Sequence, residues 1–306
     1  MAKIILAGGS GTLGNMLCAA FRDEDNEIIV LTRQDMKRHH PHVDFVHWDG
    51  KSMGDWCKEL EGADYVINLS GSNIKTRFTE KNKELLVRSR VEPTKVLGEA
   101  IAKAENPPRV WMNFSGVSIY NNAPTLQDET GTQYADDFMS TIVKKWERTF
   151  LEAKTPRTEK VILRMSPILS KGSGMFPELY PITKLGLGGP VGDGKQLVSW
   201  IHEDDFVGLL TWLVSLEKHE AIYHLCSPNP VSNAEFMAAL RKAAGAKFGL
   251  PLPAFMAKIG SAVKGMDPSL ILDSVPVTTI LTLKNGYTFK FPYIQPALNQ
   301  LVKSST

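Results

Sequence analysis

Over the first 165 residues, short apolar runs alternate with longer stretches in which apolar residues recur at helical spacing. Lys3 to Ala7 is one such run and stops at glycine, which suits a strand covered on both faces of a parallel sheet. The same reading gives strands at Glu27 to Leu31, Val43 to His47, Ala63 to Leu69, Val110 to Phe114 and Val161 to Met165. Helices are predicted at Gly14 to Phe21, through residues 79–104, and at Phe138 to Leu151. Within 79–104, Pro93 is expected to break the helix or to start a new one. Strands alternating with helices predict an α/β fold, a doubly wound parallel sheet of the Rossmann kind.

The pattern changes after residue 170. Residues 171–199 are rich in glycine and proline, as in Gly186-Leu187-Gly188-Gly189-Pro190, and read as loop. A helix near 205–217 and a strand at Ile222 to Cys226 are expected to return to the sheet. Residues 227–306 read as a smaller α+β piece with proline-marked turns at Leu250-Pro251-Leu252-Pro253 and a last helix near 295–303. The expected division is therefore 1–170, with 205–226 returning to it, as a dinucleotide-binding domain. Residues 171–204 and 227–306 form a substrate-binding domain.

The 306 residues are 43% hydrophobic and 22% charged, with a net charge of +2, which is ordinary for a globular chain. So small a charge gives no electrostatic case for nucleic acid. Cys18, Cys57 and Cys226 are scattered and show no CxxC spacing, so neither disulfides nor zinc are expected. The N-terminal apolar run is too short for a signal peptide, and no run is long enough to span a bilayer. A cytoplasmic protein with no membrane partner is expected. His39-His40-Pro41-His42, with Asp44 nearby, matches no metal spacing and reads as a solvated loop.

Gly8-Gly9-Ser10-Gly11-Thr12-Leu13-Gly14 carries the first chemistry. It matches GxGxxG through Gly9, Gly11 and Gly14, between a strand and a helix. Glycine permits the tight turn and the approach of backbone to a pyrophosphate, and the helix presents free N–H groups to the phosphates. A dinucleotide is the expected cofactor. NAD-binding domains usually end the second strand with Asp or Glu. Here Thr32-Arg33-Gln34 stands there, with Lys37 and Arg38 following. Arg33 can pair with a 2′-phosphate that a carboxylate would repel, so NADP(H) is expected.

The glycine loop together with Asn68-Leu69-Ser70-Gly71 and Asn113-Phe114-Ser115-Gly116 resembles the extended branch of the short-chain dehydrogenase/reductase superfamily. More narrowly, the chain resembles the epimerase family proteins, which are nucleoside-diphosphate-sugar-epimerase-like and carry a C-terminal domain of unknown function. Ser89-Arg90-Val91, Lys145-Trp146-Glu147, Leu163-Arg164, Gly188 to Gly194, Trp200 to Asp205 and Pro251 to Phe255 carry that likeness. It implies a small-molecule substrate and, by analogy with other extended members, a homodimer. It also implies that Gly8, Ser10, Gly11, Thr12 and Leu13 meet the pyrophosphate and its ribose, and Arg33 the 2′-phosphate. Asp49 would contact adenine, and Leu69, Ser70 and Gly71 would line the adenine and ribose side. Met165, Ser166, Pro167 and Ile168 would hold the nicotinamide carboxamide.

Active members of that superfamily pair Tyr-x-x-x-Lys with a Ser or Thr. The lysine lowers the tyrosine pKa and the tyrosine moves the substrate proton. Ser115 or Ser118 can supply the hydroxyl, but the pair is absent from Phe138 to Glu147, where Met139 and Val143 stand at its positions. Tyr180 to Lys184 repeats the spacing by chance, with a proline inside it. Tyr120, just beyond Ser115, is the candidate replacement acid, and Ser115 completes the candidate catalytic set. His202 reads as structural, Asp204 or Asp205 as a helix cap, and Arg164 as the partner of a buried acid, with Glu147 the candidate. Two functions remain open. One is an NADP(H)-dependent oxidoreductase or sugar-nucleotide epimerase, and the other a non-catalytic NADP(H)-sensing protein.

Overall fold

A computed structural model describes residues 1–22, 26–35 and 40–303. Lys37, Arg38 and His39 lie outside the described residues. Seven parallel strands form one sheet in the order β10-β6-β5-β4-β1-β2-β3. They are β1 (Lys3–Ala7), β2 (Glu27–Thr32), β3 (Val43–His47), β4 (Tyr65–Asn68), β5 (Val110–Gly116), β6 (Glu159–Met165) and β10 (Ile222–Leu225). The order reverses between β1 and β4, and ligands of such sheets bind at that crevice beyond the strand C-termini.

Alternation along the strands sorts side chains onto two faces. Ile4 and Leu6 of β1 join Leu17, Phe21, Phe206 and Leu209 under α1 (Thr12–Arg22) and α5 (Glu203–Ser215). Ile5 and Ala7 join Val96, Leu97, Trp111 and Phe150 under α2 (Glu80–Lys103) and α3 (Phe138–Glu152).

α2 runs unbroken through Pro93, against the expected break. Pro93 costs one backbone hydrogen bond, but the next residue anchors the helix deeply. The Thr94 hydroxyl donates to Arg90 O at 2.8 Å and accepts from Trp146 Nε1 at 2.9 Å and Asn68 Nδ2 at 3.0 Å. Asn68 Nδ2 also donates to Asn113 Oδ1 at 2.7 Å, so β4, β5, α2 and α3 meet in one buried polar knot.

The span 171–199 is not all loop. It holds α4 (Phe176–Ile182), a wide turn at Thr183–Leu187 and the short strand β8 (Leu197–Val198). β7 (Ile168–Leu169) pairs with β9 (Ile201–His202). β10 pairs with β6 in the main sheet. Beyond it come β11 (Val231–Ser232), α6 (Asn233–Ala244), α7 (Ala254–Val263), α8 (Ser269–Leu272), α9 (Leu281–Lys284) and α10 (Ile294–Lys303). α6 is specified locally by a Ser232/Glu235 capping box and a left-handed Gly245. The cap of α5 is His202, not Asp204 or Asp205: its Nδ1 accepts from Asp204 N at 3.1 Å. Asp205 instead accepts from the backbone N–H of Lys290 and Phe291, tying the last segment of the chain to α5.

Candidate dinucleotide and substrate site

The glycine loop spans the end of β1 and the start of α1. Gly8 has φ +72°, and a Cβ there would lie 2.7 Å from Ser70 Oγ. A Cβ on Gly14 would lie 2.0 Å from Gly9 O, so helix and loop touch backbone to backbone. A Cβ on Gly11 would meet nothing within 4 Å among the described residues beyond its chain neighbours. The loop is thus closed toward the protein and open outward. The first N–H groups of α1 have no partner within the helix. Beside this mouth, Ser70 Oγ is buried and has no hydrogen-bond partner among the described residues. An unsatisfied buried hydroxyl next to an open glycine cradle fits a phosphate-bearing ligand.

The other expected cofactor contacts also sit at strand ends. Arg33 follows β2 and is exposed. Asp49 follows β3; its Oδ1 accepts from Lys51 N and Ser52 N at 2.8 Å each, and these bonds lower its pKa. Leu69 and Ser70 follow β4, anchored through Leu69 N to Ala7 O and Ser70 N to Asn68 Oδ1. Gly71 lies against Arg90, whose guanidinium donates to Leu86 O and Ser72 O and is brought down to about 10 by burial. Met165 ends β6. Ser166 donates its hydroxyl to Leu225 O at 3.0 Å, Pro167 is exposed, and Ile168 is buried in β7.

The catalytic expectations fare differently. Ser115 is buried, and its hydroxyl donates to Glu147 Oε1 at 2.6 Å. Glu147 in turn takes a two-point bond from Arg164, as the sequence suggested. Tyr120 is fully buried, with its hydroxyl donating to Gly131 O at 3.1 Å and accepting from Arg164. Burial raises its pKa well above the ordinary phenol value. A replacement acid has to reach the substrate oxygen. Tyr120 is instead inside the core holding Arg164, which corrects the sequence expectation. Ser118 lies by Gly116 at the turn after β5.

The positions of the missing pair are filled by hydrophobic packing. Val143 packs against the end of β5, 3.3 Å from where a Gly116 side chain would begin. Met139 lines a cavity of about 300 Å³ with Phe78, Lys83, Asp137, Phe138, Asp267, Ser269 and Asp273. Asp137 caps α3 through Oδ1, while its Oδ2 is buried without a partner among the described residues. The Asp273 carboxyl is raised by burial, and the nearby charges of Asp137 and Asp267 add to the rise. Sequence reading missed this cavity because its acids come from two segments more than a hundred residues apart. Tyr180 stacks on Phe176, with Lys184 over its ring, and neither lines the cavity. His40 and His42 stand with ring centres 5.7 Å apart, and no metal-binding group of three occurs among the described residues. No described helix is long and apolar enough to cross a membrane.

Residues 4–226 match the family described as "NAD dependent epimerase/dehydratase family". The human "Epimerase family protein SDR39U1" is 30% identical over 307 residues, covering 98% of this chain and 99% of the relative. "Epimerase family protein SSP1921" of Staphylococcus saprophyticus is 30% identical over 305 residues, covering 99% of this chain and 100% of the relative. The crystal structure of human SDR39U1 (isoform 2) with NADPH superimposes with a TM-score of 0.86 at 29% identity, covering 98% of this chain and 99% of that one.

Proposed function

Because this chain belongs to the NAD dependent epimerase/dehydratase family, we propose that it binds NADP(H) along its strand C-termini and exchanges hydride with a small carbonyl or alcohol. The observation that carries the reading is the outward-open glycine loop beside the unpartnered, buried Ser70 hydroxyl. NADPH in the solved structure of human SDR39U1 supports the phosphorylated cofactor. When bound, the cofactor supplies or takes the hydride. The chain supplies the rest. Backbone N–H groups of Gly11, Thr12 and Leu13 neutralise the pyrophosphate, Ser70 gains the partner it lacks, and Arg33 takes the 2′-phosphate. Asp49 faces the adenine end, and Met165, Ser166, Pro167 and Ile168 the nicotinamide end.

The substrate occupies the cavity at Met139 and Asp273, between the dinucleotide-binding part and the segments we assign to substrate, 171–204 and 227–306. Proton transfer then falls to Asp273, whose raised pKa keeps a larger share of the carboxyl protonated. The second reading, a sensor of NADP(H) redox state, is favoured by the apolar Met139 and Val143 and by the engaged hydroxyls of Ser115 and Tyr120.

One experiment separates them. NADPH and NADH are titrated side by side by nicotinamide fluorescence, and NADPH absorbance is then followed with aldehydes, ketones and nucleotide sugars. Turnover that Asp273→Asn abolishes supports the enzyme. Tight binding with no turnover on any compound supports the sensor, and no binding at all overturns both.

A further inference from the structure

α7 presents its large side chains outward. Of its ten residues only Ala257 and Ser261 are buried. Phe255, Ile259 and Val263, four apart and so on one face, are 64%, 61% and 82% exposed. The surface continues past the helix. Leu250 N donates to Gly186 O at 2.8 Å and Leu252 N to Pro190 O at 2.9 Å, and the Phe248 ring fills the space beside Gly186. These bonds hold exposed Leu185, Phe248 and Leu250 together on the segment that leads into α7. So many large apolar side chains exposed on one helix and the segment leading into it mark an interaction surface.

The segments that carry these side chains hold charge of one sign. Residues 179–192 and 236–266 contain no Asp or Glu. Lys184, Lys247, Lys258 and Lys264 stand exposed among the apolar groups. Glu178, Asp193 and Asp267 border these segments, and the Glu178 carboxylate is shared between Lys75 and Lys264, 4.0 Å from the latter.

Against the expectation of no membrane partner, which rested on the lack of a spanning segment, we propose that this surface docks on an anionic lipid bilayer, with α7 lying in the plane of the headgroups. Apolar side chains flanked by lysines are what such a helix needs, and no spanning segment is required. A second copy of the chain fits worse, because a two-fold contact sets the patch against its own image and buries lysines from both copies, with no acid in either set of patch segments to pair them. An anionic bilayer complements the apolar face and the charges together. The inference goes beyond the proposed chemistry and does not depend on turnover.

The test is sedimentation of the full chain with phosphatidylcholine vesicles, with and without phosphatidylserine. The chain is expected to pellet with the phosphatidylserine vesicles only. Ile259→Glu/Val263→Glu abolishes pelleting, and Lys258→Glu and Lys264→Glu each weaken it by roughly fivefold or more, as expected for a charge near such a surface. Because all four residues are exposed, each variant is expected to keep wild-type thermal stability and NADPH affinity, measured in parallel. The proposal is overturned if the chain stays in the supernatant, pellets equally with neutral vesicles, or pellets undiminished after Ile259→Glu/Val263→Glu. It is also overturned if size-exclusion shows a dimer that Ile259→Glu dissociates, which assigns the patch to a second copy.

Discussion

Arg164 of β6 grips Glu147 of α3 through two parallel bonds, Nε to Oε1 and Nη2 to Oε2, both 2.8 Å, with the two side chains 2% and 9% exposed. Ser115 and Tyr120 close the ends of this pair, so a serine and a tyrosine that look catalytic in sequence are structural partners of a buried ion pair. Glu147→Ala leaves a buried guanidinium without its counter-charge, which costs about 3–5 kcal/mol. Urea denaturation is expected to show a loss of that size. Tyr120→Phe loses about 1 kcal/mol of stability for its hydrogen bonds and keeps full activity per folded molecule.

The glycines of the loop separate folding from binding. A Cβ on Gly8 meets Ser70 and also forces a left-handed residue, so Gly8→Ala is expected to lose at least about 1–2 kcal/mol of stability. Gly11 has open space around it. Gly11→Ala is expected to leave the melting temperature unchanged while NADPH affinity falls. Calorimetric melting and fluorescence titration on the same samples check both.

Arg33 is the selector proposed for the 2′-phosphate. A charge-assisted bond is worth about 1.5–3 kcal/mol, so Arg33→Ala is expected to weaken NADPH by roughly 10–100-fold. NADH affinity should not change. Equal losses for both cofactors would remove Arg33 from that role.

Two buried histidines predict acid sensitivity. Burial lowers the pKa of both His202 and His224 below 6.5. The unfolded chain therefore binds more protons as pH falls through 6.5. Their contribution is fully present above that pH and is lost on acidification toward the folded values. Asp205, raised by burial from 3.8, acts in the opposite sense in a window that begins at 3.8. His202→Asn keeps a capping side chain and removes one titration. Its stability, measured by denaturant at pH values on either side of 6.5, is expected to fall less than that of the wild type.

What sequence made legible here was local. The glycine loop, the strand runs and the Arg33 position each declare themselves within a few residues. Pro93 was misread because what holds its helix together is remote: Thr94 takes its partners from β4 and α3. Asn68 and Asn113 sit inside apolar runs, and such polar interruptions were the one available sign of a buried knot. Tyr120 was misassigned because sequence neighbourhood to Ser115 says nothing about depth. The helix expected near 205–217 begins two residues earlier, at Glu203, because His202 caps it through a ring nitrogen where the sequence points to an acid.

β10 completes the main sheet against β6, yet it is encoded some way downstream, at residues 222–225. During synthesis β6 therefore offers a bare edge while the intervening segment is still being made. Unpaired edges of this kind recruit other chains. A fragment ending at residue 170 keeps the glycine loop but not the strand that covers β6, nor its outer contact from His224 N to Glu129, and is expected to aggregate. Cofactor binding and the covering of β6 are thus inherited together, by a chain read through at least to Leu225.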